Sequence, residues 1–375
     1  MIALLFLGFS AGLPFLLVFS TLNARLADVG VETATIGFFS WLGITYSIKV
    51  FWAPVVDRLK LPILDRLLGK RRSWILLAQA GIATGLYLMA QVDATAAPEM
   101  MALCGLLVAF SSATQDVAID AYRIEIAEER LQAALAATYI FGYRLALLVA
   151  GAGALYLAEF WSWQVSYEVM AALVGVGVLT VLIVREPTVN HFAAARDIAQ
   201  KIELEAARRT HLSPGLARFA GWFYAAIAGP FLDFFRRYKE LSIAILVMVA
   251  VYRISDIAMG VMANPFYLDF MGFSKTEVAD VTKIFGFFMT IAGSLAGGVL
   301  VVRYGTRKIL LVGAIMTAAT NLLFVFLAQY PPNLITLAAV VSADNLSGGI
   351  ANVALIAWLS SMTSASFTAT QYALF

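Results

Sequence analysis

Charged residues are scarce in this sequence: Asp, Glu, Lys and Arg make up 13% of its 375 residues, whereas hydrophobic residues make up 61%. A soluble chain carries about a quarter charged residues, so this composition predicts an integral membrane protein. Cysteine is nearly absent too. Cys104 stands alone, which excludes an intramolecular disulfide and a thiolate metal site. The two histidines, His191 and His211, fall in a polar central segment and cannot relay protons through a membrane.

Long apolar runs account for most of the chain. A helix needs about 20 residues to cross a bilayer, whereas a strand of a transmembrane β-barrel needs fewer. We therefore predict an all-α membrane protein with about ten complete transmembrane helices and the start of an eleventh near Thr370, where the sequence ends as if truncated. Met1 opens directly into the first span without a basic region, which favours a span over a signal peptide. The ten predicted spans are 2–23, 35–56, 74–91, 100–122, 133–158, 165–184, 241–266, 278–302, 309–329 and 334–363.

Lys and Arg are distributed unevenly between the loops. The loops after even-numbered spans are basic, whereas those after odd-numbered spans hold only Arg25 and Lys275. Because basic loops stay on the cytoplasmic side, we predict a cytoplasmic N-terminus. The basic residues of the even-numbered loops are Arg58, Lys60, Arg66, Lys70, Arg71, Arg72, Arg123, Arg130, Arg303, Arg307 and Lys308.

A long polar segment in the middle sets the domain organisation. Its first part, 190–211, is a charged amphipathic pattern, and its second part, 216–235, is apolar but interrupted by Gly229-Pro230. The second part is typical of a helix lying on the inner leaflet, since a further span here would turn all later basic loops outside. The predicted parts are an N-terminal six-helix bundle at 1–184, a cytoplasmic linker with this interfacial helix at 185–240, and an incomplete C-terminal bundle at 241–375.

Two loops carry a similar basic motif. The loop after span 2 has Asp57-Arg58 and then, beyond an insertion, Gly69-Lys-Arg-Arg72; the loop after span 8 runs from Gly298 to Lys308, with Val302 at the acidic position. Both resemble the loop motif of the major facilitator superfamily, G-x-L-x-D-R-x-G-R-R, which implies a two-bundle transporter fold. The charges of such a loop bind neighbouring helix ends. The predicted gating-loop residues are Asp57, Arg58, Arg71, Arg72, Arg303 and Arg307.

Acidic residues interrupt the apolar run of span 4. Asp116 and Asp120 lie four residues apart, so they share one helix face, and Arg123 can reach back to Asp120. Ionisable groups inside a span are costly and usually mark a transport path. Since a desolvated carboxyl can load and release a proton, Asp120 and Asp116 are the predicted proton-coupling residues, with Asp344 next. The alternative is that the two acids only clasp the helix end to Arg123 and a loop.

Further charges lie near the bilayer middle. Arg144, Arg253 and Asp344 fall about 10–12 residues into their spans, near the midplane at ~1.5 Å per residue, where two-bundle transporters hold their substrates. Aromatic rings such as Tyr46 lie among the charges and suit sugar rings. The alternative is a set of structural pairs, such as Arg253 with Asp256. The predicted substrate-binding residues are Lys49, Tyr122, Arg123, Tyr143, Arg144, Tyr252, Arg253, Asp256, Lys283, Asn345 and Trp41.

Several stretches resemble one transporter family. They are Ala113-Thr-Gln-Asp-Val-Ala-Ile-Asp120-Ala-Tyr-Arg, Gly142-Tyr-Arg-Leu, Tyr252-Arg-Ile-Ser-Asp256, Thr282-Lys-Ile-Phe-Gly286 and Ser366-Phe-Thr-Ala-Thr-Gln-Tyr-Ala373. Asp344-Asn-Leu-Ser-Gly-Gly349 stands where the family often has Glu-Asn-x-x-Gly-Gly. The chain thus resembles the AmpG-type muropeptide permeases of the bacterial inner membrane, a branch of the major facilitator superfamily, and eukaryotic acetyl-CoA transporters look like more distant relatives.

The resemblance implies import of anhydro-muropeptides (GlcNAc-anhydroMurNAc peptides) from periplasm to cytoplasm in peptidoglycan recycling, by proton symport and through twelve spans. It implies a sugar-peptide substrate and the lipid bilayer as partners, a monomer, no nucleic acid, no metal and no cofactor beyond the proton gradient. The alternatives are another anionic cargo, such as an acyl-CoA-like or sugar-acid compound, a membrane enzyme acting on lipid-linked wall precursors, and a non-transporting sensor. No metal-ligand cluster or glycine-rich phosphate cradle in the sequence favours the enzyme.

Overall fold

A computed structural model describes residues 1–187, 229–252, 254, 259, 263, 266–364 and 367–374, with the backbone alone at 33, 129, 269, 275, 276, 279 and 283. The described chain is predominantly helical. Its helices are α1 Ile2–Val18, α2 Ser20–Asp28, α3 Thr33–Phe39, α4 Leu42–Ser47, α5 Ala53–Arg58, α6 Leu64–Leu68, α7 Lys70–Gln91, α8 Pro98–Glu125, α9 Gln132–Leu148, α10 Ala154–Phe160, α11 Trp163–Leu173, α12 Gly175–Ile183, α13 Leu241–Tyr252, α14 Lys275–Val278, α15 Gly286–Tyr304, α16 Thr306–Leu327, α17 Leu334–Met362 and α18 Thr368–Leu374.

Nine helical stretches among these residues are long and apolar enough to cross a membrane. They are Ile2–Asp28, Ala34–Phe51, Lys70–Gln91, Pro98–Glu125, Gln132–Phe160, Trp163–Ile183, Asp280–Tyr304, Thr306–Leu327 and Leu334–Met362. Each coincides with a predicted span, so the chain is a multi-pass all-α membrane protein, as the sequence predicts. The predicted span 241–266 is described as a helix over Leu241–Tyr252, and most of its remainder lies outside the described residues.

The second span differs from its prediction as one continuous helix over 35–56. The structure breaks it into α3, α4, a 3₁₀ turn at Lys49–Phe51, and α5. Pro54 has no N–H to donate, and its ring would clash with the Val50 carbonyl of the preceding turn, which accounts for the break at Lys49–Phe51 but not for the separation of α3 from α4. It lies instead in the first turn of α5, where proline is tolerated. The break puts Lys49 in a turn between two short helices rather than on the face of a long one.

The chain divides into two compact units. Unit 1 comprises Met1–Glu128, Phe141–Asp233 and Thr363–Leu374, and unit 2 comprises Glu129–Ile140, Phe234–Met362 and Phe375. Unit 1 has a continuous apolar core between α1, α2, α7, α8 and α11, in which Leu17, Leu86 and Tyr167 are fully buried. Unit 2 has two smaller cores, one around Val353 and one around Leu337.

Glycines allow two helices of unit 1 to cross at contact distance. A Cβ on Gly12 of α1 would lie 2.5 Å from the carbonyl oxygen of Tyr143. A Cβ on Gly142 of α9 would collide with the carbonyl oxygen of Leu5. Small residues permit such close approach between membrane helices. The crossing therefore holds the stretch of α9 that carries Tyr143 and Arg144 against α1.

Candidate functional site

A polar stripe runs along α8, the fourth predicted span. Ser112, Asp116 and Asp120 recur every four residues, so they lie on one face of the helix. Ser112 is fully buried and the two acids are half-buried. Arg123, also fully buried, extends the stripe by a turn, and its Nη2 lies 3.4 Å from Asp120 Oδ1. The contact between Arg123 and Asp120 that the spacing predicts is therefore present.

Charged and phenolic side chains approach the two acids. Lys49, in the turn between α4 and α5, lies within electrostatic range of both Asp116 and Asp120. Tyr143 of α9 lies within range of Asp116, and Arg144 lies within range of Tyr143. We name Lys49, Asp116, Asp120, Tyr143 and Arg144 the span-4 cluster. All five belong to unit 1, and all five are among the residues that the sequence singles out.

Three buried polar atoms in this cluster or beside it make no regular hydrogen bond within the described part of the chain. They are the hydroxyl of Tyr46 on α4, the hydroxyl of Ser112, and Oδ1 of Asp116. The Tyr46 and Ser112 hydroxyls face each other closely enough to interact. A buried polar atom left without a partner costs about 1–3 kcal/mol. Such atoms therefore mark a place for an occupant that forms hydrogen bonds, either water or a ligand.

An amide network fixes the orientation of the stripe. Gln115 of α8 accepts a hydrogen bond from the Ser10 hydroxyl of α1 at 3.0 Å and donates one to the Ser10 carbonyl at 2.9 Å. The Ser10 hydroxyl accepts a further bond from Gln79 of α7 at 3.2 Å. All three side chains are at most 3% exposed. Because Gln115 directly precedes Asp116, the network sets the rotation of α8 that turns Asp116 toward Lys49 and Tyr143.

These hydroxyl and amide groups are Ser10, Tyr46, Gln79, Ser112 and Gln115, and the sequence predictions name only Tyr46, as one of the aromatic rings interleaved with the charges. A signal for one of them was available, since Ser112 precedes Asp116 by the same four residues that separate Asp116 from Asp120. The other four are polar residues inside apolar runs. Which of them face one another depends on the rotation of four separate helices, and that rotation has no local signature.

Asp344 of α17, the third predicted acid, lies in unit 2 among hydroxyl groups. Thr320 Oγ1 lies 3.4 Å from Asp344 Oδ1 and 3.1 Å from the Ser347 hydroxyl. Tyr267 lies within electrostatic range of Asp344. The buried hydroxyl of Thr317, one turn before Thr320, has no hydrogen-bond partner among the described residues. The neighbours of Asp344 given above carry hydroxyl groups, whereas Lys49 and Arg123 bring positive charge to the span-4 acids.

Asn345 has structural contacts on both sides of its amide. The Thr290 hydroxyl of α15 donates a hydrogen bond to its Oδ1 at 2.6 Å, and its Nδ2 donates one to the Val341 carbonyl at 2.9 Å. Gly286, at the start of α15, lies directly against the amide. In the structure, Asn345 therefore joins α17 to α15.

A second charged group is centred on Arg71 and includes residues that follow spans 2, 4 and 6. Arg71 Nη2 donates to Asp57 Oδ1 at 2.8 Å and to Glu125 Oε1 at 2.6 Å, and its Nε donates to Glu125 Oε2 at 3.0 Å. Lys70 Nζ donates to the Asp57 carbonyl. The Asp57 carboxylate also accepts bonds from the N–H groups of Ala369 and Thr370. The predicted loop residues Asp57 and Arg71 therefore bind each other, and Asp57 also binds the start of α18.

The charges around Asp57 determine its titration. Burial alone would raise the pKa of Asp57, but the charges of Arg71 and Lys70 and a hydrogen bond from Thr370 outweigh burial and lower the pKa below its ordinary value. Glu186 shows the opposite balance. It accepts hydrogen bonds from the N–H groups of Arg71 and Arg72, at 2.8 and 3.1 Å, yet its burial raises the pKa above the ordinary value.

The remaining predicted loop residues differ between the two loops. Arg72 Nε donates to the Val181 carbonyl at 2.7 Å, so it binds the end of α12. Arg58 lies over the ring of Phe367, at 5.8 Å from its centroid. In the second loop, Arg303 and Arg307 are exposed. Val302 occupies the position that corresponds to Asp57 of the first loop, and an apolar side chain cannot form an ion pair with arginine.

Other predicted substrate-binding residues lie apart from the span-4 cluster. The Tyr122 hydroxyl donates to the Arg185 carbonyl at 3.0 Å, and the Tyr252 hydroxyl donates to the Leu310 carbonyl at 3.0 Å. Trp41 is 69% exposed and packs on Phe38. The residues outside the described set are Arg253, Asp256 and the side chain of Lys283.

Comparison with known proteins agrees with this architecture. Residues 1–375 match the Major Facilitator Superfamily. The chain is 31% identical to "Putative transporter AmpG 4" of Rickettsia felis, over 98% of this chain and 83% of the relative. It is 32% identical to the anhydromuropeptide permease of Escherichia coli K12, over 99% of this chain and 69% of the relative.

Two solved transporter structures are similar in fold. The proton:xylose symporter XylE, bound to 6-bromo-6-deoxy-D-glucose, matches with a TM-score of 0.65 and 13% identity, over 99% of this chain and 84% of that one. FucP in the outward conformation matches with a TM-score of 0.63 and 11% identity, over 99% and 87%. Taken with the relatives and the two basic loops, these matches mean that the chain belongs to the AmpG family of the major facilitator superfamily.

Proposed function

We propose that this chain is a secondary transporter of the bacterial inner membrane that imports anhydro-muropeptides by proton symport, with no cofactor beyond the proton gradient. The span-4 cluster and the adjoining Arg123 carry the proposal, because Lys49 lies within electrostatic range of both Asp116 and Asp120 and Arg123 contacts Asp120, all inside apolar spans. Groups of this kind are costly in a membrane and usually serve a transported ion or substrate. The name of the Escherichia coli relative, an anhydromuropeptide permease, supports the cargo class.

The cations suit the peptide end of such a cargo. Muropeptides carry free carboxylates, and Lys49 and Arg144 supply positive charge within unit 1. A charge-assisted hydrogen bond is worth about 1.5–3 kcal/mol, which corresponds to roughly ten- to a hundredfold in affinity. Attraction inside a span is also less screened by salt than attraction at the surface. Affinity should therefore depend on the number of free carboxylates and only weakly on external ionic strength.

Asp116 is the better proton carrier of the two acids. Arg123 Nη2 lies 3.4 Å from Asp120 Oδ1, so Asp120 already has a cationic partner. Asp116 is faced by Lys49, Asp120, Tyr143 and Tyr46, and its Oδ1 makes no hydrogen bond with the described residues. Protonating Asp116 therefore breaks no hydrogen bond at that oxygen, whereas protonating Asp120 weakens its contact with Arg123. Asp120 and Arg123 form the structural clasp.

Uptake into proteoliposomes tests the proposal. We expect an inward proton gradient to drive accumulation of labelled anhydro-muropeptide by the wild type. Asp116→Asn should abolish this coupling, while Glu99→Gln, at an exposed position on the same helix, should leave it unchanged. A wild-type protein that ignores the proton gradient would refute symport. Wild-type coupling in the Asp116→Asn variant would refute the role of Asp116 alone.

Competition separates the cargo from its main rival. Excess unlabelled anhydro-muropeptide should suppress the uptake, and excess acyl-CoA should not. The reverse result would favour an acyl-CoA-like cargo on the same fold. Proton symport gives import because protons run down their gradient into the cytoplasm. The predicted topology is tested separately, since a protease site inserted between residues 62 and 63 would report the side of the membrane on which the first basic loop lies.

A further inference from the structure

We propose that Phe15, Phe19, Tyr46 and Ser112 form a subsite for a sugar ring of the cargo. We name these four residues the aromatic subsite. The inference rests on the proposed function and adds to it the part of the substrate that binds here. Phe15, Phe19 and Ser112 are not among the residues that the sequence predicts to bind substrate, whereas Tyr46 is one of the aromatic rings interleaved with the charges. All four belong to unit 1.

Three aromatic rings of the subsite meet at one point. The ring centroids of Phe15 and Phe19 are 5.0 Å apart, and each lies 5.8 Å from that of Tyr46. The Phe15 and Tyr46 rings meet nearly edge to face, at 75°. All three side chains are half-buried. A Cβ on Gly43 of α4 would lie 3.5 Å from the Phe19 ring, so this ring lies in contact with α4.

The subsite also has a polar edge. The Tyr46 hydroxyl and the fully buried Ser112 hydroxyl face each other, and neither has any further hydrogen-bond partner among the residues described. Oδ1 of Asp116, one turn from Ser112 on the same face of α8, is a third such atom. Each hydroxyl can both donate and accept. The edge therefore offers two groups that can pair with hydroxyls and one acceptor.

A sugar ring fits this combination better than a peptide does. A pyranose has a C–H face that packs on aromatic rings and a rim of hydroxyl groups that both donate and accept hydrogen bonds. A peptide carboxylate only accepts them, and it is better served by Lys49 and Arg144. Pockets of this type bind through apolar walls and a few polar groups that fix orientation. The aromatic subsite and the cations of the span-4 cluster would then bind opposite ends of one sugar-peptide.

Simple core packing is the competing explanation for the same residues. Phe19 and Tyr46 do pack against the apolar core of unit 1. In a dry core, however, the two facing hydroxyls could pair only with each other, and Oδ1 of Asp116 beside them has no hydrogen-bond partner among the described residues. A buried polar atom left without a partner costs about 1–3 kcal/mol. That oxygen and the unused capacity of the two hydroxyls are what favour an occupant that forms hydrogen bonds.

Binding of cargo fragments to the purified full chain tests the subsite. Isothermal titration calorimetry would use the peptide-free disaccharide GlcNAc-anhydroMurNAc, the free peptide and the intact muropeptide. We expect Tyr46→Phe and Ser112→Ala to weaken disaccharide binding about three- to tenfold, the effect of one lost hydrogen bond. Phe15→Leu should weaken it about two- to tenfold through the lost ring contact. Affinity for the free peptide should not change.

Exposed residues of unit 1 provide matched controls. Tyr156→Phe and Phe160→Leu make the same chemical changes at rings that are 65% and 72% exposed, and they should leave both affinities unchanged. Melting temperatures of all variants identify any that misfold. Tyr46→Phe removes a single oxygen, so it remains informative if Phe15→Leu does not fold.

The outcomes distinguish the subsite from the function on which it rests. Wild-type affinity for the disaccharide in Tyr46→Phe, Ser112→Ala and Phe15→Leu would overturn the subsite while muropeptide binding stands. Wild-type protein that binds intact muropeptide but not the disaccharide would also overturn the subsite alone. Wild-type protein that binds none of the three ligands would overturn both proposals.

Discussion

Asp57 and Thr370 are 313 positions apart in the sequence, yet the Asp57 carboxylate accepts hydrogen bonds from both the backbone N–H and the hydroxyl of Thr370, each at 2.7 Å. Asp57 Oδ1 also accepts a bond from the N–H of Ala369 at 3.2 Å and from Arg71 at 2.8 Å. The first N–H groups of a helix have no partner within it. Asp57 therefore supplies the start of α18 with acceptors while it pairs with Arg71.

Removing this carboxylate should destabilise the fold. Breaking one side of a buried ion pair costs about 3–5 kcal/mol, because the partner charge remains buried. We expect Asp57→Ala to lower the free energy of unfolding in detergent by that amount, as measured by chemical denaturation. Glu128→Ala, at an exposed position after the end of α8, is the control. Equal stability of the two variants would show that Arg71 finds other partners.

The same carboxylate predicts a pH dependence. The pKa of Asp57 is lowered in the folded protein, so its ionisation stabilises the fold above the unfolded value of about 3.9. This stabilisation is lost as the pH falls through the folded pKa. Unfolding curves at acidic pH should therefore lose less stability in Asp57→Asn than in the wild type.

Glu186 provides the opposite sign for the same experiment. Its pKa is raised in the folded protein, so its contribution is present below the unfolded value of about 4.3 and is lost as the pH rises through the folded pKa. Glu186→Gln should remove that loss. Parallel curves for the wild type and Asp57→Asn would contradict the assignment of a lowered pKa to Asp57.

Gln115 should matter for transport as well as for stability. Gln115→Leu removes both hydrogen bonds to Ser10, and bonds between membrane helices are worth about 0.6–1.7 kcal/mol each. We expect a stability loss of that order, a severalfold lower uptake rate and a shifted pH optimum, because α8 can then rotate Asp116 away from Lys49. Gln164→Leu, at an exposed position, should change none of the three. A loss of stability with an unaltered pH optimum would make the network purely structural.

The crossing of α1 and α9 should tolerate no side chain. Gly142→Ala brings a methyl group against the Leu5 carbonyl, and overpacking of this kind costs about 1–3 kcal/mol. Gly348→Ala is the matched control, because a Cβ there meets nothing within 4 Å. Thermal unfolding of the two variants in detergent checks the difference, and equal melting temperatures would mean that the crossing relaxes without cost.

Much of the fold follows from the sequence because membrane spans have a strong local signal. Apolar runs of the right length predicted the described spans, and the four-residue spacing on α8 predicted that Asp116 and Asp120 share a face. The broken second span was missed because a continuous hydropathy pattern conceals Pro54. Its consequence, the turn that carries Lys49, could be read from the proline but not from hydropathy.

The candidate site was less predictable, because it depends on how helices face one another. Tyr122 has the composition of a binding residue, but its hydroxyl turns to the Arg185 carbonyl. Gln79 and Gln115 look like isolated polar residues until the structure joins both of them to Ser10. Local spacing predicts which residues of one helix share a face. It does not predict which residues of another helix they meet.

The charged group around Arg71 has a consequence for the membrane potential. Its cations are Lys70, Arg71 and Arg72, and its carboxylates are Asp57, Glu125 and Glu186. With all six ionised, the group is neutral. Moving one net charge across the membrane field involves about 2.3 kcal/mol per 100 mV, but a neutral group that moves as one body involves none. A rearrangement that keeps these residues together is therefore insensitive to voltage, and any voltage dependence of transport must arise from charges elsewhere in the chain or from the cargo.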